Sequence, residues 1–463
     1  MNPNSPFPCN NVTPLFTRRA VLSSISCGFG YLAFSGLAAQ AAANDKPLAP
    51  KQPHFTPRAR RVIFLCMSGG PSHVDTFDYK PRLIADAGKP GTRPGSTWLG
   101  PKSEFKQRGQ SGLWISDFFP NVAKHADDLA LIRSMQTDLP AHPQAFLRLH
   151  TGNSQFVRPS LGAWATYGLG TENENLPGFI TLGPPNNVGG AQNFGSAFLP
   201  AIYQGTRIGT GNRPVSAAQV KNLLPPGSSQ AQRLELDLIQ TLNREAQTRD
   251  PYNPEIEGVI ESYELAFKMQ SQMPEVLDLA KETDATKKLY GVGDRETDDF
   301  GRKCLMARRF IEAGVRFVEV GSGNWDHHFN LSGALSRSCA GVDKPIAGLL
   351  ADLKQRGLLK DTLVIWGGEF GRTPYAQGGD GRDHNNKGFT LWMAGGGVKG
   401  GTSYGATDEH GFEAVQDKVS IHDLHATILH LLGLNHEKLT FRYAGRDFRL
   451  TDVKGEVVRG VVG

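Results

Sequence analysis

The run Arg61-Val-Ile-Phe-Leu-Cys-Met67 constrains the fold more than any other stretch of the chain. It is short, rich in β-formers, and apolar at consecutive rather than alternating positions. Such a strand needs cover on both faces, the situation of a central strand in a parallel sheet between helix layers. Similar runs occur at 129–132, 178–182, 315–320, 362–366 and 389–393, with helical patterns at 230–249, 254–273, 299–313 and 344–355. This order predicts an α/β three-layer sandwich with a mostly parallel central sheet. Residues 184–228 are rich in Gly, Pro, Asn and Gln. With the two helical patterns after them they predict a helical and loop insertion near 185–295.

The N-terminus has a different character. Arg18 and Arg19 precede Ala20-Val21-Leu22, an apolar small-residue run follows, and Ala-Gln-Ala-Ala-Ala closes it at Ala43. A charged start, an apolar middle and a small-residue cleavage site are the parts of a secretory signal. Paired arginines favour the twin-arginine route, which carries folded proteins. The reading is therefore a signal segment over 1–43, a Pro-rich linker over 44–57, and one α/β domain over 58–463, in a periplasmic or extracellular protein that meets the membrane only during export. The signal holds two arginines and no acid, so the net charge of the remainder falls from +5 to +3. That balance argues against nucleic acid as the main partner. Cys66, Cys304 and Cys339 remain, an odd and widely spaced set that makes no disulfide framework.

In open α/β sheets, ligands bind beyond the carboxyl ends of the strands. Residues of metal-ligand type gather in those loops: His73 and Asp75 after the first strand, Asp326 and His328 after the fourth, and Glu369, Arg372, Arg382, Asp383 and His384 after the fifth. His422 and His425 open a C-terminal helical pattern. Mixed carboxylate and imidazole suits zinc, manganese or iron better than calcium, which prefers oxygen alone. A divalent ion of this kind is expected. His430 and His436, beside an apolar helix, read as structural. No Gly-x-Ser-x-Gly elbow, phosphate-binding Gly-rich loop or His-Glu-x-x-His is present.

Several segments are distinctive together: Gly-Gly-Pro-Ser-His-Val-Asp-Thr-Phe-Asp ending at Asp78, Arg158-Pro-Ser-Leu-Gly-Ala-Trp-Ala-Thr-Tyr-Gly-Leu-Gly170, Trp-Asp-His-His ending at His328, Gly-Gly-Glu-Phe-Gly-Arg-Thr-Pro ending at Pro374, and Tyr443-Ala-Gly-Arg-Asp-Phe-Arg-Leu-Thr-Asp452. In order, they resemble the bacterial family known as domain of unknown function 1501, which in turn resembles the alkaline phosphatase and sulfatase superfamily. That resemblance implies an alkaline phosphatase-like fold with one or two divalent metals at the strand ends. Asp423-Leu-His-Ala-Thr-Ile-Leu is similar to a superfamily helix start. Glu369-Phe370-Gly371 stands where relatives carry Asp-His-Gly, and His384 is the expected replacement for the missing imidazole. Asp326-His327-His328 is similar to a shortened Asp-x-x-x-His motif. Met67-Ser68-Gly69 stands where relatives carry an aspartate, so His73 or Asp75 would have to substitute. The stretch from Thr137 to His142 resembles the nucleophile region of nucleotide phosphodiesterases, which implies Thr137 as nucleophile and His142 as ligand or oxyanion partner. A formylglycine sulfatase signature is absent.

These readings imply a metal-dependent hydrolase of small-molecule or glycan esters of phosphate or sulfate, with Arg372 or Arg382 facing the charge on the equatorial oxygens. The altered motifs leave open a second class: a non-catalytic exported protein that binds sulfated or phosphorylated glycans on a hydrolase scaffold.

Overall fold

Among the described residues nine strands make the central sheet, and the computed structural model shows why the inner ones are apolar at consecutive positions. It describes residues 47–463 apart from 186, 212, 218–226 and 251–253, so the expected signal segment lies outside the described residues. In chain order, the elements that matter here begin with β1 (Arg61–Met67), β2 (Leu129–Gln136), α1 (His142–Thr151), α2 (Leu161–Leu169), β3 (Phe179–Leu182) and β4 (Thr206–Ile208). The middle of the chain holds α3 (Ser229–Arg249), α4 (Pro254–Leu277), α5 (Asp298–Glu312), β5 (Phe317–Ser322), α6 (Leu331–Gln355) and β6 (Thr362–Gly367). The last group is β7 (Gly371–Arg372), β8 (His384–Asn385), β9 (Phe389–Ala394), β10 (Thr402–Tyr404), β11 (Val419–Ser420) and α7 (Ile421–Leu431).

The sheet order is β10-β2-β9-β6-β1-β5-β3-β4, with β11 also on β2. β9 alone runs antiparallel to its neighbours. β1 sits at the centre, Val62 opposite Phe317 of β5 and Leu363 of β6. Side chains alternate between faces along each strand. Ile63, Leu65, Val318, Val320, Val364 and Trp366 meet α5 and α6 in one core. Val62, Phe64, Phe317, Leu363 and Ile365 meet the second layer, formed by α1, α2 and α7. Both faces are dry, so consecutive apolar residues are what the strand requires. Each such side chain contributes roughly 1.5–3 kcal/mol by leaving water.

Two expectations from composition meet a more detailed structure. The stretch near 185–295 does contain two long helices, α3 and α4, joined by the Arg233–Glu264 pair, but it also returns to the sheet as the edge strand β4. Residues 48–57 run along the domain: Lys51 N–H donates to the carbonyl of Leu169, Phe55 N–H to that of Gly433, and Leu48 is buried. Pro-rich composition reads as linker because proline cannot enter a ladder, yet an extended segment can still dock. Among the described residues, no helix is long and apolar enough to cross a membrane.

The parallel strands all end at one rim. There the chain leaves β1 through Ser68–Gly70, β5 through Gly323–His328, β6 through Gly368–Glu369, and β2 toward α1, while β8 lies just ahead of the reversed strand β9.

Candidate metal centre

Three of these segments bring His142, Asp326, His328 and His384 together, with one ligand atom from each inside a 4.8 Å span. Asp326 Oδ1 is the hub. It lies 3.2 Å from His142 Nε2, 2.8 Å from His328 Nε2 and 3.3 Å from His384 Nε2. His328 Nε2 and His384 Nε2 are 3.0 Å apart. A tetrahedral ion with bonds of about 2.0 Å has ligand–ligand edges of about 3.3 Å, close to these spacings.

The far nitrogen of each ring explains why the Nε2 atoms face inward. His142 Nδ1 lies 2.6 Å from Glu369 Oε1, His328 Nδ1 is 2.6 Å from Gln377 Oε1, and His384 Nδ1 is 2.7 Å from the carbonyl of Pro140. A carboxylate and a carbonyl oxygen only accept, so each Nδ1 carries its proton and each Nε2 presents a lone pair. Outer acceptors of this kind fix the tautomer and orientation of metal-ligating histidines. Three ring nitrogens converging on one carboxylate oxygen favour positive charge between them and suit a cation.

The electrostatics of these side chains point the same way. Burial disfavours charge on His142, but Asp326 and Glu369 outweigh it and raise the ring's pKa to about 9. Burial likewise opposes ionisation of Asp326, yet His142, His384 and Arg372 hold its carboxyl far below the usual range. The raised pKa of His142 and the lowered one of Asp326 mark a place where positive charge is favoured. Glu369 is fully buried, and it also accepts from the Gly69 N–H at 3.0 Å. The cluster opens on a cavity of about 200 Å³ lined by Ser68, His142, Asn324 and Asp326. Asp326 and Asn324 also border a neighbouring cavity of about 590 Å³, with Lys303 and Arg337 on its wall.

A family model described as a protein of unknown function, DUF1501, matches residues 59–462. The chain belongs to this family. No curated protein matches it. Among solved structures, a sulfatase from Pseudoalteromonas sp. is 14% identical at a TM-score of 0.35, covering 88% of this chain and 72% of its own. The alkaline phosphatase of the Antarctic bacterium TAB5 is 12% identical at 0.34, covering 82% and 99%. The lipoteichoic acid synthase LtaP of Listeria monocytogenes is 9% identical at 0.38, covering 89% and 80%. The functional reading of this DUF1501 chain therefore stands on its own side chains.

Of the other sequence candidates, Glu369 and Arg372 touch the cluster from behind and the rest lie elsewhere, each for a physical reason. His73 is buried with Nε2 2.7 Å from the carbonyl of Gly411. Asp75 is locked to Arg382, whose Nε and Nη2 donate at 2.7 and 3.2 Å. Both are fully buried, a pair whose separation would strand a charge in the core. Arg372 is equally buried; it donates to Asp326 and to the backbone carbonyls of Gly70 and Arg382. Neither guanidinium is placed to meet a substrate. Asp383 is exposed and accepts from the His384 N–H. His422 and His425 bond the carbonyls of Gly152 and Leu149 at the end of α1. Thr137 lines a separate cavity of about 310 Å³ with Arg148 and His422. Glu369 acts on the cluster through His142 rather than as one of its four donors. Sequence reasoning missed Gln377, the Pro140 carbonyl, Ser68 and Asn324; none carries a local signal, because each matters only through a partner far along the chain.

Proposed function

We propose that this protein is an exported, metal-dependent hydrolase of phosphate or sulfate esters. The observation that carries the reading is the set of three histidine Nε2 lone pairs converging on Asp326, each ring held from behind by an acceptor. His142, Asp326, His328 and His384 would hold a divalent ion of the zinc, manganese or iron kind. Such an ion, when bound, supplies Lewis-acid polarisation of the ester oxygens and acidifies the attacking hydroxyl or water. Glu369 keeps the His142 ring in its ligating tautomer, and Arg372 balances the charge on Asp326 from the protein side. Ser68 and Asn324 stand in the cavity beside the cluster, where a hydroxyl and an amide can contact the oxygens of a bound ester. The resemblance of the sequence motifs to the alkaline phosphatase and sulfatase superfamily supports this reaction class, and the N-terminal arginine pair supports export.

The test is elemental analysis of protein purified without chelators, together with assays on aryl phosphate and aryl sulfate. The expected result is stoichiometric metal and a turnover that falls at least 100-fold in His328→Ala. Metal-free protein that binds sulfated glycans without turnover would replace the hydrolase with the non-catalytic binding role.

A further inference from the structure

A second group of donors meets inside the core, on the sheet face covered by α1. Cys66 of β1, His150 of α1 and Glu319 of β5 are 1%, 3% and 2% exposed. One ligand atom from each lies within 4.8 Å of the others. His150 Nε2 is 3.2 Å from the Glu319 carboxylate and 4.0 Å from Cys66 Sγ. Strand register dictates the meeting. Glu319 is opposite Phe64 of β1, and Cys66, two residues further, shares its face. Thr181 of β3 is opposite Glu319 on the other side.

Three features set this group apart from ordinary core. A carboxylate in the middle of a strand covered on both faces is costly unless its charge is met, and an apolar residue would pack there without that cost. His150 Nδ1 is 2.8 Å from the carbonyl of Phe146, one turn back in α1; that oxygen only accepts, so Nε2 is the nitrogen left to face sulfur and carboxylate. The Thr181 hydroxyl is fully buried and has no hydrogen-bond partner among the described residues. A proton shared by His150 and Glu319 would neutralise that pair but leave both Cys66 and Thr181 without a role.

We infer that Cys66, His150 and Glu319 form a second, buried metal site that holds a borderline ion such as zinc, with the Thr181 hydroxyl as the oxygen for its fourth position. Thiolate, imidazole and carboxylate are the donor types such an ion takes. On binding, the Cys66 thiol gives up its proton to solvent as the sulfur–metal bond forms, and no electron changes hands. A divalent ion, one thiolate, one carboxylate and a neutral imidazole sum to zero charge, which is what a dry core tolerates. Without the ion, burial and the neighbouring Glu319 and Glu369 push the thiol pKa well up, so the sulfur stays protonated. The site joins β1, β5 and α1 beneath the rim, where it would brace the helix that presents His142.

The test is X-ray absorption, at the edge of whatever metal elemental analysis finds, on full-length protein purified without chelators. Wild type is expected to hold two equivalents and to show a sulfur neighbour at about 2.3 Å. His328→Ala, which disrupts the rim cluster, is expected to keep that sulfur shell. Cys66→Ser is expected to lose it and one equivalent; if Cys66→Ser fails to fold, the His328→Ala spectrum decides alone. Metal bound with nitrogen and oxygen neighbours only, or no metal in His328→Ala, overturns the site. A sulfur shell with an empty rim would instead overturn the hydrolase reading and leave this one standing.

Discussion

Glu369 shows how a residue can decide a site without entering it. Its carboxylate is fully buried and spends its oxygens on the Gly69 N–H and on His142 Nδ1. In Glu369→Gln the shape survives, but the acceptor becomes a neutral amide that can also present a donor. Metal affinity is expected to fall about 10–100-fold, the usual loss for an outer partner of a ligating histidine. Competition against a chromophoric chelator measures it, and unchanged affinity would dismiss the role of Glu369 in holding His142. His425 makes the opposite case. It looked like a ligand in the sequence, yet burial lowers its pKa to about 3, and its Nε2 bonds the Leu149 carbonyl. The unfolded chain takes up a proton below its ordinary pKa of about 6.5, while the folded ring refuses one until about 3. Its burden on stability therefore grows as pH falls through that window and is absent above it. His425→Gln should lose less stability than wild type between pH 7 and pH 4.5 in denaturant melts. Equal losses would show that this ring is not what acid attacks.

At the scale of elements, the rim depends on loops passing very close to one another. Gly69 has φ of +119°, and a Cβ there would lie 2.5 Å from the backbone N of Asp326. The turn after β1 thus sets the height of the loop that carries the hub carboxylate. Gly69→Ala adds both strain and collision, and a cost of at least about 1–3 kcal/mol is expected from the backbone alone. Thermal melts together with metal content measure the two effects; a variant with full stability and full metal would show that the loops can separate. The same scale shows where local patterns mislead. The sequence pattern begins a helix at 344, since proline suits a first helical turn, whereas α6 starts at Leu331 and carries Pro345 inside it. In α4 the pattern stops at 273, before Pro274, and the helix continues to Leu277. Packing of the flanking apolar residues outweighs the one backbone bond that each proline forfeits.

For the whole molecule, the proposed twin-arginine export sets an order of events, folding before transport. The central sheet gathers strands from residues 61 to 420, and transport by that proposed route would move it already assembled. Replacing Arg18→Lys and Arg19→Lys together should hold the protein in the cytoplasm, folded and with its metal, as cell fractionation and metal analysis would show. Undiminished export of that variant would reject the route.

The apolar runs alone were enough to place the main strands and to call for helix layers on both faces, because strand burial is written in consecutive neighbours. The loops after those strands also drew attention to Asp326, His328 and His384, whereas His142 was reached only through the family resemblance. What they could not determine was which of the polar residues in those loops would meet. His142 finds Glu369 across 227 residues and His384 finds the Pro140 carbonyl across 244. His73, Asp75, His422 and His425 have the same local character and are turned to other partners. Ligand type is a property of one residue, whereas convergence depends on strand order, register and the close passage of loops, which only the folded sheet sets.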